Sequence, residues 1–247
     1  MNSVEASLSV LPSISPRERL ADDIANLLRE QIIKGDIPAG TQLLQIELAQ
    51  RLGVSRTPLR EAFRVLERDG LVRISNGNKT VEVAELGVEQ LRDTFQVREV
   101  TDGLAARLAA SREVPEELLE RMRTADAAME RATTDGNLDI VAFSQAHMEW
   151  HLLLLEASGN SQLKDFGRLV RISSHNLIMR NLDDEGHKAF DKAREALRRQ
   201  DKADHKRILD AIVKQRPEAA EESACKHVAR FIKHAEDVIA WREKNAR

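Results

Sequence analysis

The stretch Glu47-Leu48-Ala49-Gln50-Arg51-Leu52-Gly53-Val54-Ser55-Arg56-Thr57-Pro58-Leu59-Arg60-Glu61-Ala62-Phe63 decides how this chain is read. It holds two short helical patterns, Glu47–Leu52 and Arg56–Arg68, separated only by Gly53-Val54-Ser55, and such tight spacing makes the two helices pack at an angle. Ala49 is small where they must cross, and Gly53 can take the positive φ of the turn. Ser55 suits the N-cap of the second helix, and Pro58 lies in its first turn, where a missing backbone N–H costs little. Leu59, Ala62, Phe63 and Leu66 share one face, while Arg56, Arg60 and Arg64 recur every four residues on another. One side is core. The other is a cationic stripe able to grip guanine edges or phosphates, beside free N–H groups at the helix start.

Upstream, Leu20, Ile24, Leu27 and Leu28 place an apolar face on a helix over 16–34, which Gly35 and Pro38 stop. Downstream of Gly70, Leu71-Val72-Arg73-Ile74 and Thr80-Val81-Glu82-Val83 read as strands around the polar tip Ser75-Asn76-Gly77-Asn78-Lys79. A hairpin after a recognition helix forms a wing, and Asn76, Gly77 and Lys79 are its reachable groups for an adjacent groove or backbone; a plain structural hairpin is the alternative. The Arg stripe alone could be a solvated face screened by Glu61 and Glu67, but the preceding helix, turn glycine and hairpin favour DNA. From Val88 every segment has helical period: 88–112, 115–134, 138–158, 161–182, 187–199, 202–215 and 218–244. The expected fold is therefore mainly α. A disordered tail over 1–15 leads into a winged helix-turn-helix over 16–85, joined to an all-α antiparallel helical bundle over 86–247.

Composition agrees with this plan. Of 247 residues, 42% are hydrophobic and 32% charged, enough for two modest cores without disulfides. Cys225 is the only cysteine, and no stretch approaches the roughly 18 apolar residues that a span requires. The start MNSVEASLSVLPSISP lacks the basic opening and continuous apolar run of a secretory signal, so a reducing cytoplasm is expected. A net charge of -3 neither suggests nor forbids nucleic acid, since the placement of charge decides binding.

The helical part carries its own chemistry. His147 and His151 are one turn apart, so both imidazoles can point the same way and share a metal, or simply lie on a solvated face. The enzymatic alternative is a metal-dependent hydrolase or lyase, with Glu149 as the nearest carboxylate to activate bound water. Against it, His-Met-Glu-Trp-His departs from the zinc protease pattern, and neither a Gly-rich phosphate loop nor a Ser nucleophile elbow is present.

From Leu20 to Val83 the chain resembles the winged head of GntR-type bacterial transcription regulators. The resemblance is carried by Lys34-Gly35-Asp36-Ile37-Pro38-Ala39-Gly40, Glu47-Leu48-Ala49, Gly53 through Ala62, and Leu66-Glu67-Arg68-Asp69-Gly70-Leu71-Val72. It implies a homodimer reading a short palindromic operator, with Ser55, Arg56, Thr57, Arg60 and Gly77 at DNA-contact positions and Arg64 on the backbone. Ile46 stands where many relatives have a basic residue, and Asn76-Gly77-Asn78 where they have Asn-Arg-Gly.

The rest resembles the FCD effector domain of the FadR branch. Arg98, Asp102, Leu104 through Ala110, Trp150-His151-Leu152, Ser158-Gly159-Asn160, Asp204 through Ile212, Ala220 and His227 carry the likeness. Metal-binding members use an Asp one turn before a His plus two later His. The resemblance thus implies a metal on His151, His205 and His227, with His147 in the position of the Asp, as a fourth ligand or a bystander. Imidazole in place of carboxylate favours Zn, Ni or Co over Mg or Ca. Relatives often sense small organic acids, which implies a carboxylate effector at the metal, with Arg98 and also Arg171 or Arg180 as cationic partners.

Overall fold

The structure is a computed structural model that describes residues 16–75, 80–85, 87–133, 138–174 and 184–245. The expected tail over 1–15, the wing-tip residues Asn76, Gly77 and Lys79, and Arg180 lie outside the described residues.

The head is built from α1 (Pro16–Lys34), α2 (Gln45–Leu52), α3 (Arg56–Arg68), β1 (Val72–Ser75) and β2 (Thr80–Val83). Leu59, Ala62, Phe63 and Leu66 of α3 are all at most 1% exposed, so the predicted apolar face is the one that packs. On α1 the buried face is rotated from the expected one. Ala21, Ile24, Ala25, Leu28 and Ile32 pack inward, while Leu20 and Leu27 are exposed. The small Ala21 and Ala25 complete the i, i+3/4, i+7 stripe that a leucine-weighted reading assigned to bulkier neighbours. Gly53 closes α2 in the left-handed region at φ 64°, and its N–H bonds to the Gln50 carbonyl.

The strands pair antiparallel with Val72 opposite Val83 and Ile74 opposite Val81, one residue later on β1 than the sequence pattern placed it. A third, very short segment joins them: Leu43 N–H donates to the Val81 carbonyl and Val83 N–H to Thr41. Three residues are too few to show alternation, so this pairing has no sequence signature.

The helical part comprises α4 (Val88–Ala110), α5 (Glu116–Arg131), α6 (Ile140–Ala157), a 3₁₀ turn (Ser161–Phe166), α7 (Gly167–Ser174), α8 (Asp184–Val213) and α9 (Pro217–Asn245). Asp139 caps α6 by accepting from the Val141 and Ala142 N–H groups. Two expectations are corrected. The segment over 161–182 starts as a 3₁₀ turn and becomes α-helical only at Gly167, and the separate helices over 187–199 and 202–215 are one helix. Gln200-Asp201 contains no breaker, and Gln200 Nε2 bonds Asp204 Oδ1 one turn on, so the helix runs through.

Trp150, Met122, Leu153 and Leu154 centre the main bundle core, where α5 packs on α6 and α9 on both α4 and α8. A second cluster joins Phe95 of α4 to Val228 and Val238 of α9 and Ile172 of α7. Among the described residues no helix is long and apolar enough to cross a membrane.

Gly53 and Gly70 both have positive φ, but a Cβ on Gly53 meets open space while one on Gly70 would sit 2.2 Å from Ile172 Cγ1. Gly53→Ala should therefore cost only the backbone penalty of about 1 kcal/mol. Gly70→Ala should cost clearly more, and Ile172→Ala should relieve part of its excess. Urea unfolding of the parent, Gly70→Ala, Ile172→Ala and their double variant checks this double-mutant cycle, with Gly53→Ala as the comparison.

Candidate functional site

Two constellations stand out, one on the head and one inside the bundle. On the head, Ser55 occupies the N-cap of α3 in extended conformation, and its side chain makes no capping hydrogen bond. Its hydroxyl is thus available outward, together with the unpaired N–H groups of the first turn. Ser55, Arg56, Thr57, Arg60 and Arg64 are all exposed. Arg56 and Arg60 have no acidic partner among the described residues, whereas Arg64 Nη1 is held 2.9 Å from Glu61 Oε1. Arg56 and Arg60 stand at the start of the helix, the end that enters a major groove in helix-turn-helix proteins.

In the bundle, α6 presents His147 and His151, α8 presents His205 and α9 presents His227. All four are buried, and one ring nitrogen of each lies within 4.8 Å of the others. His151 Nε2 stands 3.3 Å from His147 Nε2 and 3.2 Å from His227 Nε2. His205 Nε2 is buried without a hydrogen-bond partner.

Carboxylates back three of the rings. His151 Nδ1 lies 3.1 Å from Asp102 Oδ2, His205 Nδ1 lies 3.0 Å from Asp126 Oδ1, and His227 Nδ1 lies 3.4 Å from Asp204 Oδ2. A carboxylate at Nδ1 favours the tautomer with the proton there, which leaves the Nε2 lone pair facing the centre. Trp150 stacks on His205 with ring centroids 3.8 Å apart, fixing its plane. His147 has no such carboxylate among its described contacts and is instead flanked by Phe143 and Phe231.

Burial pushes the His147, His151 and His227 imidazoles well below their ordinary 6.5 and lowers His205 as well, with Asp126 opposing the shift at His205. The Arg98 guanidinium adds to the lowering at each of the four. The rings are thus neutral donors. Two nitrogens about 2.0–2.1 Å from one tetrahedral ion stand about 3.3 Å apart, which is the spacing of the two close pairs. Neutral imidazoles, an orphaned Nε2 and three supporting carboxylates fit a borderline divalent cation.

Arg98, only 2% exposed, donates from Nη2 to Asp102 Oδ2 at 2.6 Å and from Nη1 to Ser173 Oγ at 2.7 Å. Its Nε and Asp102 Oδ1 are buried without hydrogen-bond partners. Arg171 turns the other way. Its Nε lies 3.3 Å from Asp69 Oδ1 in the head, so it does not join Arg98 beside the histidines. His234 is buried against Phe190. Sequence reasoning gave Asp126 no role and named Asp102 and Asp204 only within motifs. The adjacency of Asp204 to His205 carries no hint that it serves His227, because that contact crosses between helices.

Glu149 is exposed and bonded to Arg121, facing away from the histidines, so the base required by the hydrolase reading is not in place.

Profiles of known families match both parts. One described as bacterial regulatory proteins, gntR family, covers residues 20–81, and one described as the FCD domain covers residues 93–230. The chain belongs to the GntR family of bacterial regulatory proteins, in its FCD-domain group, and is a DNA-binding transcription regulator rather than an enzyme. It is 28% identical over 218 residues to a probable D-xylose utilization operon transcriptional repressor of Paenarthrobacter nicotinovorans, covering 87% of this chain and 88% of that one. It is 24% identical over 238 residues to the Glc operon transcriptional activator of Escherichia coli K12, covering 90% and 91%. Among solved structures, Escherichia coli McbR/YncC shares the fold with a TM-score of 0.61 at 20% identity, covering 92% of this chain and 99% of that one.

The histidine shifts set a pH dependence for the metal-free protein. Below about 6.5 an unfolded imidazole takes a proton that its buried counterpart refuses, so the unfolded state binds more protons and stability falls as pH drops. Urea midpoints in EDTA should be flat above pH 7 and fall steeply from pH 6.5 to 5. A flat profile through that window would show that the histidines are solvated.

Proposed function

We propose that this chain is a metabolite-responsive bacterial regulator that binds a palindromic operator as a homodimer. In this reading, a small carboxylate held at or near a divalent metal in the helical bundle modulates DNA affinity. The observation that carries it is one chain with two prepared sites: an exposed cationic helix start in the head and four converging neutral histidines in the bundle.

On the DNA side, Arg56 and Arg60 reach base edges or adjacent phosphates, Ser55 and Thr57 add hydroxyls at the same end, and Arg64 lies on the backbone. Asn76, Gly77 and Lys79 of the wing are assigned to the neighbouring groove from their place at the hairpin tip, Gly77 also from the resemblance. One head reads a short half-site, and two heads related by a two-fold axis read a palindrome.

On the effector side, His147, His151, His205 and His227 hold the ion, with Zn favoured and Ni or Co accepted by the same donors. A divalent ion with open positions supplies a Lewis-acidic anchor for an anion. Arg98 supplies a second positive charge close by, able to fork onto a carboxylate. Relatives named for a D-xylose operon and for the Glc operon support control of a catabolic operon, in the cytoplasm where the DNA lies. One is a repressor and the other an activator, so the sign does not carry over.

Genomic fragments retained by the purified protein at near-physiological salt should share one palindrome; retention without sequence preference would overturn the operator reading. Arg56→Ala should weaken binding to that site about 5- to 150-fold and leave the thermal midpoint unchanged. His151→Ala with His205→Ala should remove co-purifying metal, read by elemental analysis, and retention of full metal content would sink the site.

A further inference from the structure

The helix α7 lies between the two constellations, in contact with Arg98 on one side and with the C-terminal end of α3 on the other. Its Ser173 hydroxyl accepts from Arg98 Nη1 at 2.7 Å and donates to the Leu169 carbonyl at 2.7 Å. Arg98 shares Asp102 Oδ2 with His151 Nδ1, so Ser173 is three contacts from the histidine cluster. The two preceding residues of α7 face the head. Arg171 Nε lies 3.3 Å from Asp69 Oδ1, and Ile172 packs so closely on Gly70 that no Cβ fits there.

Asp69 is the C-terminal cap of α3, the helix whose other end carries Arg56 and Arg60. It is 3% exposed, and its other oxygen takes Arg29 Nη2 of α1 at 2.5 Å. One buried carboxylate is thus gripped by a guanidinium from the head and another from the bundle. A groove of about 1180 Å³ opens beside this triad, lined by Arg29, Asp69 and Arg171 and by Met148 and Leu152 of α6. The histidine-bearing helix therefore borders the same junction.

We propose that α7 is the coupling element between the histidine centre and the DNA-binding head, acting through the path His151, Asp102, Arg98, Ser173 and then Arg171 to Asp69. This rests on the metal reading given above. His151 Nδ1 lies 3.1 Å from Asp102 Oδ2 without hydrogen-bond geometry. When His151 Nε2 serves as a ligand, its Nδ1–H becomes more acidic and is drawn into a hydrogen bond with that oxygen. Arg98 then loses part of its carboxylate partner and is released toward an anion, which loosens its hold on Ser173. A shift of α7 by a fraction of a turn moves Arg171 and Ile172 against Asp69 and Gly70, and so alters how the end of α3 is clamped. The buried charges make the clamp sensitive, because Asp69 cannot lose a partner without cost. Coupling of this kind is reciprocal, so the head's state also biases the centre.

The test uses the full chain stripped with EDTA, then given one equivalent of Zn²⁺, with hydrogen exchange followed in the segment 66–72 and metal affinity measured by chelator competition. In the parent protein, Zn²⁺ should change exchange in that segment about fivefold, the low end for coupled sites. Ser173→Ala should abolish that change while keeping Zn²⁺ affinity within about threefold, since mutations along a path modulate coupling more than binding. Arg171→Met should do the same; if it fails to fold, Ser173→Ala decides. Zn²⁺ uptake with no change over 66–72 in the parent protein, or an undiminished change in Ser173→Ala, overturns the coupling and leaves the metal reading intact. Absence of Zn²⁺ uptake overturns both.

Discussion

Four imidazoles with ring nitrogens as little as 3.2 Å apart, sealed inside an apolar bundle, are the constraint on which the helical part depends. Unpaired polar nitrogens in such a place are destabilising, and burial suppresses the protonation that would otherwise draw in water. The bundle meets this by bringing carboxylates from α4, α5 and α8 behind three of the rings and by stacking Trp150 on His205. Five helices must be in register for these contacts to coexist. The centre thus depends on the arrangement of the whole bundle.

The head divides its labour along one helix. The inward face of α3 is apolar, and its outward face carries charge along its length, with Arg56 and Arg60 at the start. Its far end is anchored by Asp69, where the polar grip is buried and shared with α7. A helix held by its C-terminal cap and presented by its N-terminal residues is oriented by whatever holds the cap. This places the junction between the two functional ends of the molecule.

Much of this was legible in the residues themselves. The i, i+3, i+4, i+7 pattern of α3, Gly53 at the turn and the alternating strands each rest on local geometry, and local geometry is what sequence spacing encodes. His147 and His151 were readable as a pair for the same reason. The buried face of α1 was misjudged because alanines carry the packing there, and the single helix Asp184–Val213 was read as two. Arg171 was grouped with Arg98 since both are cations in the helical part, yet neighbouring residues on a short helix point in different directions.

The sequence by itself determined most of the helices, the apolar face of α3 and which residues could bind an anion or a metal, because those properties follow from periodicity and side-chain chemistry. Only the tertiary structure decided that His205 and His227 meet the α6 pair and that Asp126 and Asp204 stand behind them. It alone decided that Ser173 and Arg171 face opposite ends of one path. These contacts join residues 23 to 102 positions apart, and packing angles between helices, which no local pattern contains, set whether such residues touch.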